Sequence, residues 1–275
     1  MPELPEVETT RRGIDTVATG HTLRKMIVHD SRMRWPIPKD LPSLIEGQVV
    51  RACRRRGKYL LIEFDNGTVL IHLGMSGSLR SVMNGALLRK HDHVEWQFDH
   101  ATLRLHDPRR FGSVLWHSKA SGLAEAHPLL SKLGIEPFDP KFDAQFLKKG
   151  LAGRKVSIKQ ALLAGDVVVG AGNIYASESL FRARIHPKTQ ATRVSLARCE
   201  RLVEALQSTL SDALQSGGST LRDYVNATGE AGAYFTLHAA VYERDGEPCK
   251  ICATSIQRIV QGQRATYFCP RCQKI

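Results

Sequence analysis

The 275-residue chain has no apolar run that approaches the roughly 18 residues of a membrane-spanning helix, which argues against an integral helical membrane protein. Its amino terminus lacks a basic region followed by an apolar one, so nothing there reads as a secretory signal, and a cytoplasmic location is the expectation. Negative charge is scarce: 27 Asp and Glu stand against 39 Lys and Arg, a formal net charge of +12. Such an excess repels itself unless a polyanion neutralises it, and nucleic acid is the expected partner. There is no internal repeat and no low-complexity tract, so domain boundaries must be read from periodicity.

Cysteine is too sparse and too unevenly placed for a disulfide framework. Cys53 and Cys199 stand alone, while the other four form Cys249-x2-Cys252 and, sixteen residues on, Cys269-x2-Cys272. Two such pairs complete a tetrahedral thiolate site with no position left for catalysis, which predicts one structural Zn2+; a redox dithiol is the competing reading. Between the pairs, Gln257 to Phe268 reads as two strands turning at Gly262, with Arg258 and Arg264 offered on a rigid finger.

What is present divides the chain in three. A first helix, ending near Gly20, leads into short alternating runs up to about residue 117. Tyr59–Phe64 and Thr68–His72 read as a hairpin around Asn66-Gly67, and Val94–Phe98 and Thr102–His106 flank Asp99-His100-Ala101 in the same way. Several short strands with regular turns imply a β-sandwich or barrel. From about residue 123 the period changes: Leu147, Leu151, Ile158, Leu162 and Leu163 recur at helical intervals with Ser157 as a candidate cap, and Leu196 to Leu214 marks a long amphipathic helix stopped by Gly217-Gly218. The expected fold class is therefore α+β, with an amino-terminal β domain (1–122), a helical domain (123–240) and a zinc finger (241–275).

The first eight residues, Met-Pro-Glu-Leu-Pro-Glu-Val-Glu, have two readings. Locally they are a helix start, because proline suits the first turn and acids complement the positive end of the helix dipole. Chemically, removal of Met1 exposes a secondary amine at Pro2, and α-amino groups with pKa about 7.7–8.0 are partly unprotonated near neutrality. Attack of such an amine on an aldehyde-level carbon gives an iminium ion, and Glu3 is the adjacent carboxyl for moving protons. Gly170-Ala171-Gly172-Asn173 enters a helix and could hold phosphate on exposed amides, with Asn173 as a further donor. His72-Leu-Gly-Met75-Ser-Gly77 and Asp107-Pro-Arg109-Arg110-Phe111-Gly112 both follow strands. Taken alone, Met75 and Phe111 read as core residues. The basic run from Arg51 to Lys58 reads as a solvated face, and no other motif supports His91 and His93 as a second metal site.

These motifs together, with the Gln263-Arg264-Ala265-Thr266 of the finger, stand in an order similar to that of the formamidopyrimidine-DNA glycosylases, bifunctional base-excision repair enzymes, over essentially the whole chain. The resemblance implies an amino-terminal β-sandwich with a leading helix, a helical domain carrying a helix-two-turn-helix, a zinc finger, and DNA in the cleft between. It implies that Pro2 attacks C1′ of an extruded oxidised purine, that Glu3 shuttles protons while Glu6 orders the amine, and that β- and δ-elimination follow without a redox cofactor. Lys58 and Arg264 join the catalytic set. Met75, Arg109 and Phe111 fill the space left by the extruded nucleotide, and His72, His91, Lys159 and Asn173 complete the DNA-binding set with Glu6. Thr220–Phe235, bearing Gly229 and Gly232, corresponds to the family's mobile base-recognition loop. The implied partner is damaged double-stranded DNA met by a monomer. The endonuclease VIII branch, which removes oxidised pyrimidines, is the nearest alternative, although it usually has glycine where this chain has Leu4. A zinc-ribbon DNA-binding protein without catalysis is the other.

Overall fold

The computed structural model describes residues 1–219 and 233–275. They form two compact units: Met1–Ser131 with Ser216–Ala233, and Lys132–Gln215 with Tyr234–Ile275. Thus the described residues 216–219 and 233, grouped by periodicity with the helical domain, cluster with the amino-terminal unit.

In the first unit α1 (Leu4–Ala18) carries Pro5 in its first turn and buries Leu4, Val7, Ile14 and Ala18 along one face. After the short α2 (Leu41–Ile45), preceded by β1 (Lys25–Val28), come β2 (Ala52–Arg56), β3 (Tyr59–Phe64), β4 (Gly67–His72), β5 (Ser78–Val82), β6 (Asp92–Gln97), β7 (Thr102–His106) and β8 (Ser113–Ser118). They make two antiparallel four-stranded sheets, ordered β1-β6-β7-β5 and β2-β3-β4-β8. Leu60, Ile62, Val69 and Ile71 of one sheet share a single core with Val94, Trp96, Leu103 and Leu105 of the other and with Val7 and Ile14 of α1. That is a β-sandwich with a leading helix. Full burial of one such side chain is worth about 1.5–3 kcal/mol, so α1 is held by packing more than by propensity.

The β3–β4 hairpin is present, with its turn one residue early. Phe64 pairs with Gly67, so Asp65-Asn66 is the two-residue loop. Gly67 opens the strand because a Cβ there would lie 2.5 Å from the Trp116 ring of β8. The glycine serves a neighbouring strand, which a local reading of Asn-Gly does not register.

The second unit contains α3 (Ala144–Leu151), α4 (Ile158–Ala164), α5 (Asn173–Arg182), α6 (Leu196–Gln215), α7 (Tyr234–His238) and the ribbon strands β9 (Gln257–Gln261) and β10 (Arg264–Phe268). Ser157 caps α4 in a reciprocal box with Gln160. The long helix α6 packs on α3 and α5 and ends at Gly217 and Gly218, both at positive φ (71° and 87°). The α4–α5 connection contains Gly165 and Gly170, also left-handed at φ 72° and 95°. No helix among the described residues is long and apolar enough to cross a membrane.

Candidate active site and nucleic-acid interface

The helix-start reading of the amino terminus holds in the structure. Glu3 is the N-cap of α1, Glu3 and Glu6 form a reciprocal capping box, and the Glu3 amide donates to Glu6 Oε2 at 2.7 Å. Both carboxyls are nearly inaccessible, at 2% and 1% exposure. The other oxygen of Glu6, Oε1, accepts from Ser219 N and Oγ, each at 2.7 Å. Glu6 therefore ties the helix start to the chain that leaves α6. Gly218 precedes that contact at φ 87°, and a Cβ on it would come within 3.1 Å of Glu6 Oε1.

The amine in the structure is that of Met1, and Pro2 nitrogen is still an amide; Pro2 itself is buried. The Met1 amine is held below its ordinary pKa of 8.0, chiefly by burial, with Glu3 and Glu6 opposing and Lys58 and Arg109 reinforcing the shift. Glu3, Glu6, Lys58 and Arg109 are thus all close enough to the amino terminus to act on its charge. An amine placed there keeps its lone pair at lower pH than an exposed one.

Lys58 reaches this point from a tight turn. Arg56 pairs with Tyr59, leaving Gly57-Lys58 as a two-residue loop with Gly57 at φ 57°, as a type II′ turn requires. His72, at the end of β4, accepts from the Gly74 amide through Nδ1 at 3.0 Å, which leaves the ring proton on Nε2. Burial first, then Lys58 and Arg34, push its pKa down to about 4, so it is a neutral donor at pH 7. An unfolded histidine binds its proton near 6.5, so this group lowers stability as pH falls from 6.5 toward 4.

Met75, Arg109 and Phe111 are exposed, Met75 at 43% and Phe111 at 45%, and the core reading of Met75 and Phe111 is set aside. Arg109 lies over the Phe111 ring, 4.9 Å from its centroid. The two loops interlock: Gly74 sits at φ 63°, and a Cβ on it would fall 2.5 Å from the Phe111 carbonyl carbon. Asp107, which sequence reasoning passed over, organises the second loop from a fully buried position. Its carboxylate accepts from Gly112 N at 2.8 Å and Arg109 N at 3.3 Å. Its amide donates to His91 O at 3.0 Å, and its own carbonyl oxygen lies 2.9 Å from His93 Nε2. His91, at φ 74°, is thereby tied to the loop of Arg109 and Phe111. The only available signal was the position of Asp107 before Pro108, where aspartate favours turns.

In the second unit two expected DNA contacts are engaged elsewhere. Lys159 is 0% exposed, and its Nζ donates to Ala265 O at 3.1 Å and to Thr266 Oγ1 at 2.8 Å. Asn173 starts α5 and turns its Nδ2 to Ala265 O at 2.9 Å and Tyr242 Oη at 3.3 Å. Their DNA-binding role stays what the resemblance implies; in this structure the lysine is buried and the asparagine amide faces two protein acceptors. Arg264 is exposed at the ribbon tip, where Gly262 and Gln263 turn at φ 53° and 63°. Glu178, also unforeseen, is fully buried and accepts from the amides of Ala240, Val241 and Tyr242 at 2.9, 3.0 and 2.8 Å. It anchors the chain entering the ribbon. The base-recognition loop candidate, apart from residues 233–235, lies outside the described residues.

The four ribbon cysteines converge, with all Sγ atoms within 4.8 Å of one another. Cys249–Cys272, Cys252–Cys269 and Cys252–Cys272 are 3.9, 3.5 and 3.4 Å apart. Zinc–sulfur bonds of about 2.3 Å in a tetrahedron put sulfurs about 3.8 Å apart, so the cage fits one structural zinc.

A β-sandwich led by a helix, a helical domain and a four-thiolate ribbon define an α+β zinc-ribbon protein. Residues 1–114 match the Formamidopyrimidine-DNA glycosylase N-terminal domain, 133–225 the Formamidopyrimidine-DNA glycosylase H2TH domain, and 246–275 the zinc finger found in FPG and IleRS. Formamidopyrimidine-DNA glycosylases of Bordetella pertussis and Burkholderia multivorans are 69% and 56% identical, each matched over 100% of both chains. The crystal structure of MutM (Fpg) from Thermus thermophilus aligns at 37% identity and TM-score 0.88, covering 99% of this chain and 98% of that one. Lactococcus lactis Fpg with DNA containing an abasic site aligns at 32% and 0.89, covering 99% and 100%. The same protein with DNA containing an oxidised pyrimidine aligns at 32% and 0.89, covering 100% of both. The chain belongs to the formamidopyrimidine-DNA glycosylase family.

Proposed function

We propose that Pro2, exposed by removal of Met1, is the nucleophile of this chain, with Glu3 as proton shuttle and Lys58 as cation beside it. As a family member the protein is a base-excision repair DNA glycosylase for oxidised purines with AP lyase activity. The observation that carries the assignment is the buried Pro2-Glu3 pair at the start of α1, in a chain matched end to end by glycosylases. Pro2 nitrogen attacks C1′, and the base leaves with the glycosidic electron pair and takes up the proton that the newly bonded, positively charged Pro2 nitrogen gives up. The lone pair so restored on nitrogen then expels O4′, which Glu3 protonates, giving the iminium. Loss of a C2′ proton expels the 3′ phosphate, and a second elimination expels the 5′ phosphate. Glu6, bonded to the Glu3 amide and to Ser219, holds the helix start in place for this. Met75, Arg109 and Phe111 occupy the vacated stack, offsetting part of the few kcal/mol that extrusion costs. The zinc is structural and takes no part in these steps.

Duplex containing 8-oxoguanine is the first test: a nicked product supports catalysis, whereas a shifted but intact duplex rejects it. Lactococcus lactis Fpg has been crystallised with an oxidised-pyrimidine duplex, which favours adding that lesion class to the panel.

Lys58 is taken to neutralise one phosphate. Each such contact contributes about 0.9 to the slope of log K against log salt, so Lys58→Met should weaken binding and flatten the slope by about that amount. Salt titration of an abasic-analogue duplex reads this directly, and an unchanged slope removes Lys58 from the backbone contacts.

A further inference from the structure

We propose that Lys159 and Asn173 are positioning residues that grip the Ala265 carbonyl from two helices and so hold Arg264, the preceding residue, toward a DNA phosphate. The proposal takes Arg264, which the resemblance places in the catalytic set, to act there by contacting the DNA backbone.

The two side chains come from opposite sides of the α4–α5 connection. Lys159 lies in the first turn of α4 and Asn173 is the first residue of α5. A carbonyl oxygen has two lone pairs, and here Lys159 Nζ and Asn173 Nδ2 both donate to that of Ala265, at 3.1 and 2.9 Å. Lys159 also holds the next residue through Thr266 Oγ1 at 2.8 Å, and Thr266 is fully buried. The other ribbon strand is tied to the same helix start, because Gln261 Nε2 donates to Ser157 Oγ, the cap of α4, at 3.0 Å. Gln261 is the cross-strand partner of Arg264. The backbone of Arg264 is therefore fixed on its carboxyl side by Lys159 and Asn173 and across the ladder by Gln261, while its side chain stays exposed at the turn. An ammonium at 0% exposure cannot reach a phosphate without leaving Ala265 and Thr266, so its contribution to binding runs through the strand it holds.

The test uses the full-length zinc-loaded protein, a duplex with a stable abasic-site analogue, and the salt slope of binding in four forms: parent, Arg264→Ala, Lys159→Met and the double variant. Arg264→Ala should lower the slope by about 0.9. Lys159→Met should lower it by a similar amount with one zinc still bound per chain. The double variant should match Arg264→Ala, since an indirect effect is not added twice. Asn173→Ala, which leaves the buried charge alone, should behave like Lys159→Met, and it carries the test if Lys159→Met does not fold. A further fall of about 0.9 in the double variant overturns the proposal by making Lys159 a phosphate contact itself. A parental slope in Lys159→Met or Asn173→Ala overturns it as well. A parental slope in Arg264→Ala alone is the separate signature that the Arg264 reading has failed, and the proposal falls with it.

Discussion

Borohydride added while the protein acts on an 8-oxoguanine duplex is expected to link protein to DNA through residue 2. An iminium at Pro2 contains a reducible carbon–nitrogen double bond, and hydride converts it to a stable amine. Peptide mapping should find the adduct on the amino-terminal peptide, and a link on Lys58 or Lys159 would reject the assignment. Pro2→Gly keeps an amine but loses the secondary nitrogen and its fixed ring, so base removal should fall by on the order of a hundredfold or more. Burial holds the Met1 amine below its ordinary value, and the same burial acting on the Pro2 amine that replaces it disfavours the charged form. The acidic limb of the rate profile should therefore lie below that of an exposed amino-terminal proline, and Lys58→Met, by removing a neighbouring positive charge, should move it upward.

The second large effect is loss of the zinc. Binding of structural zinc by such cages is worth roughly 10–16 kcal/mol in isolated fingers, and that free energy is folding free energy. Cys269→Ser or chelation should therefore unfold the ribbon. Arg264 loses its rigid turn, and Ala265 and Thr266 leave the bonds to Lys159 and Asn173. Binding to lesion duplex should drop by orders of magnitude. The sandwich has a core of its own, drawn from α1 and both sheets, and should keep its cooperative unfolding transition. Full affinity in protein shown by elemental analysis to lack zinc would reject this account.

Features encoded by local spacing were legible in the sequence. The two Cys-x-x-Cys pairs specified the cage, alternation specified the β3–β4 hairpin, and the Ser157 cap and the Gly217-Gly218 stop bounded their helices. Motif identity likewise brought Met75, Arg109 and Phe111 to exposed loop tips. What escaped depends on partners distant in the chain. The glycine that follows the Asp65-Asn66 turn is required by the closeness of His117 and Trp116 on β8. Glu178 is satisfied by amides 62 to 64 positions away. Lys159 shows the other limit: a motif gives the residue and its neighbourhood, but whether its side chain meets solvent or a buried carbonyl is decided by packing 106 positions along.

The bond between Glu6 and Ser219 joins residues 213 positions apart, and it sets a schedule for biosynthesis. At ribosomal speeds of about 5–20 residues per second, the partner of Glu6 is made roughly 10–40 seconds after Glu6 itself. All the strands of the sandwich have been translated by then. A nascent chain can therefore assemble the sheets well before it acquires the segment that steadies its reactive end, and a truncated product ending before Ser219 would carry the amine without that support. The amino-terminal end of α1 is thus steadied only after the chain has been translated as far as Ser219, beyond the last residue of α6.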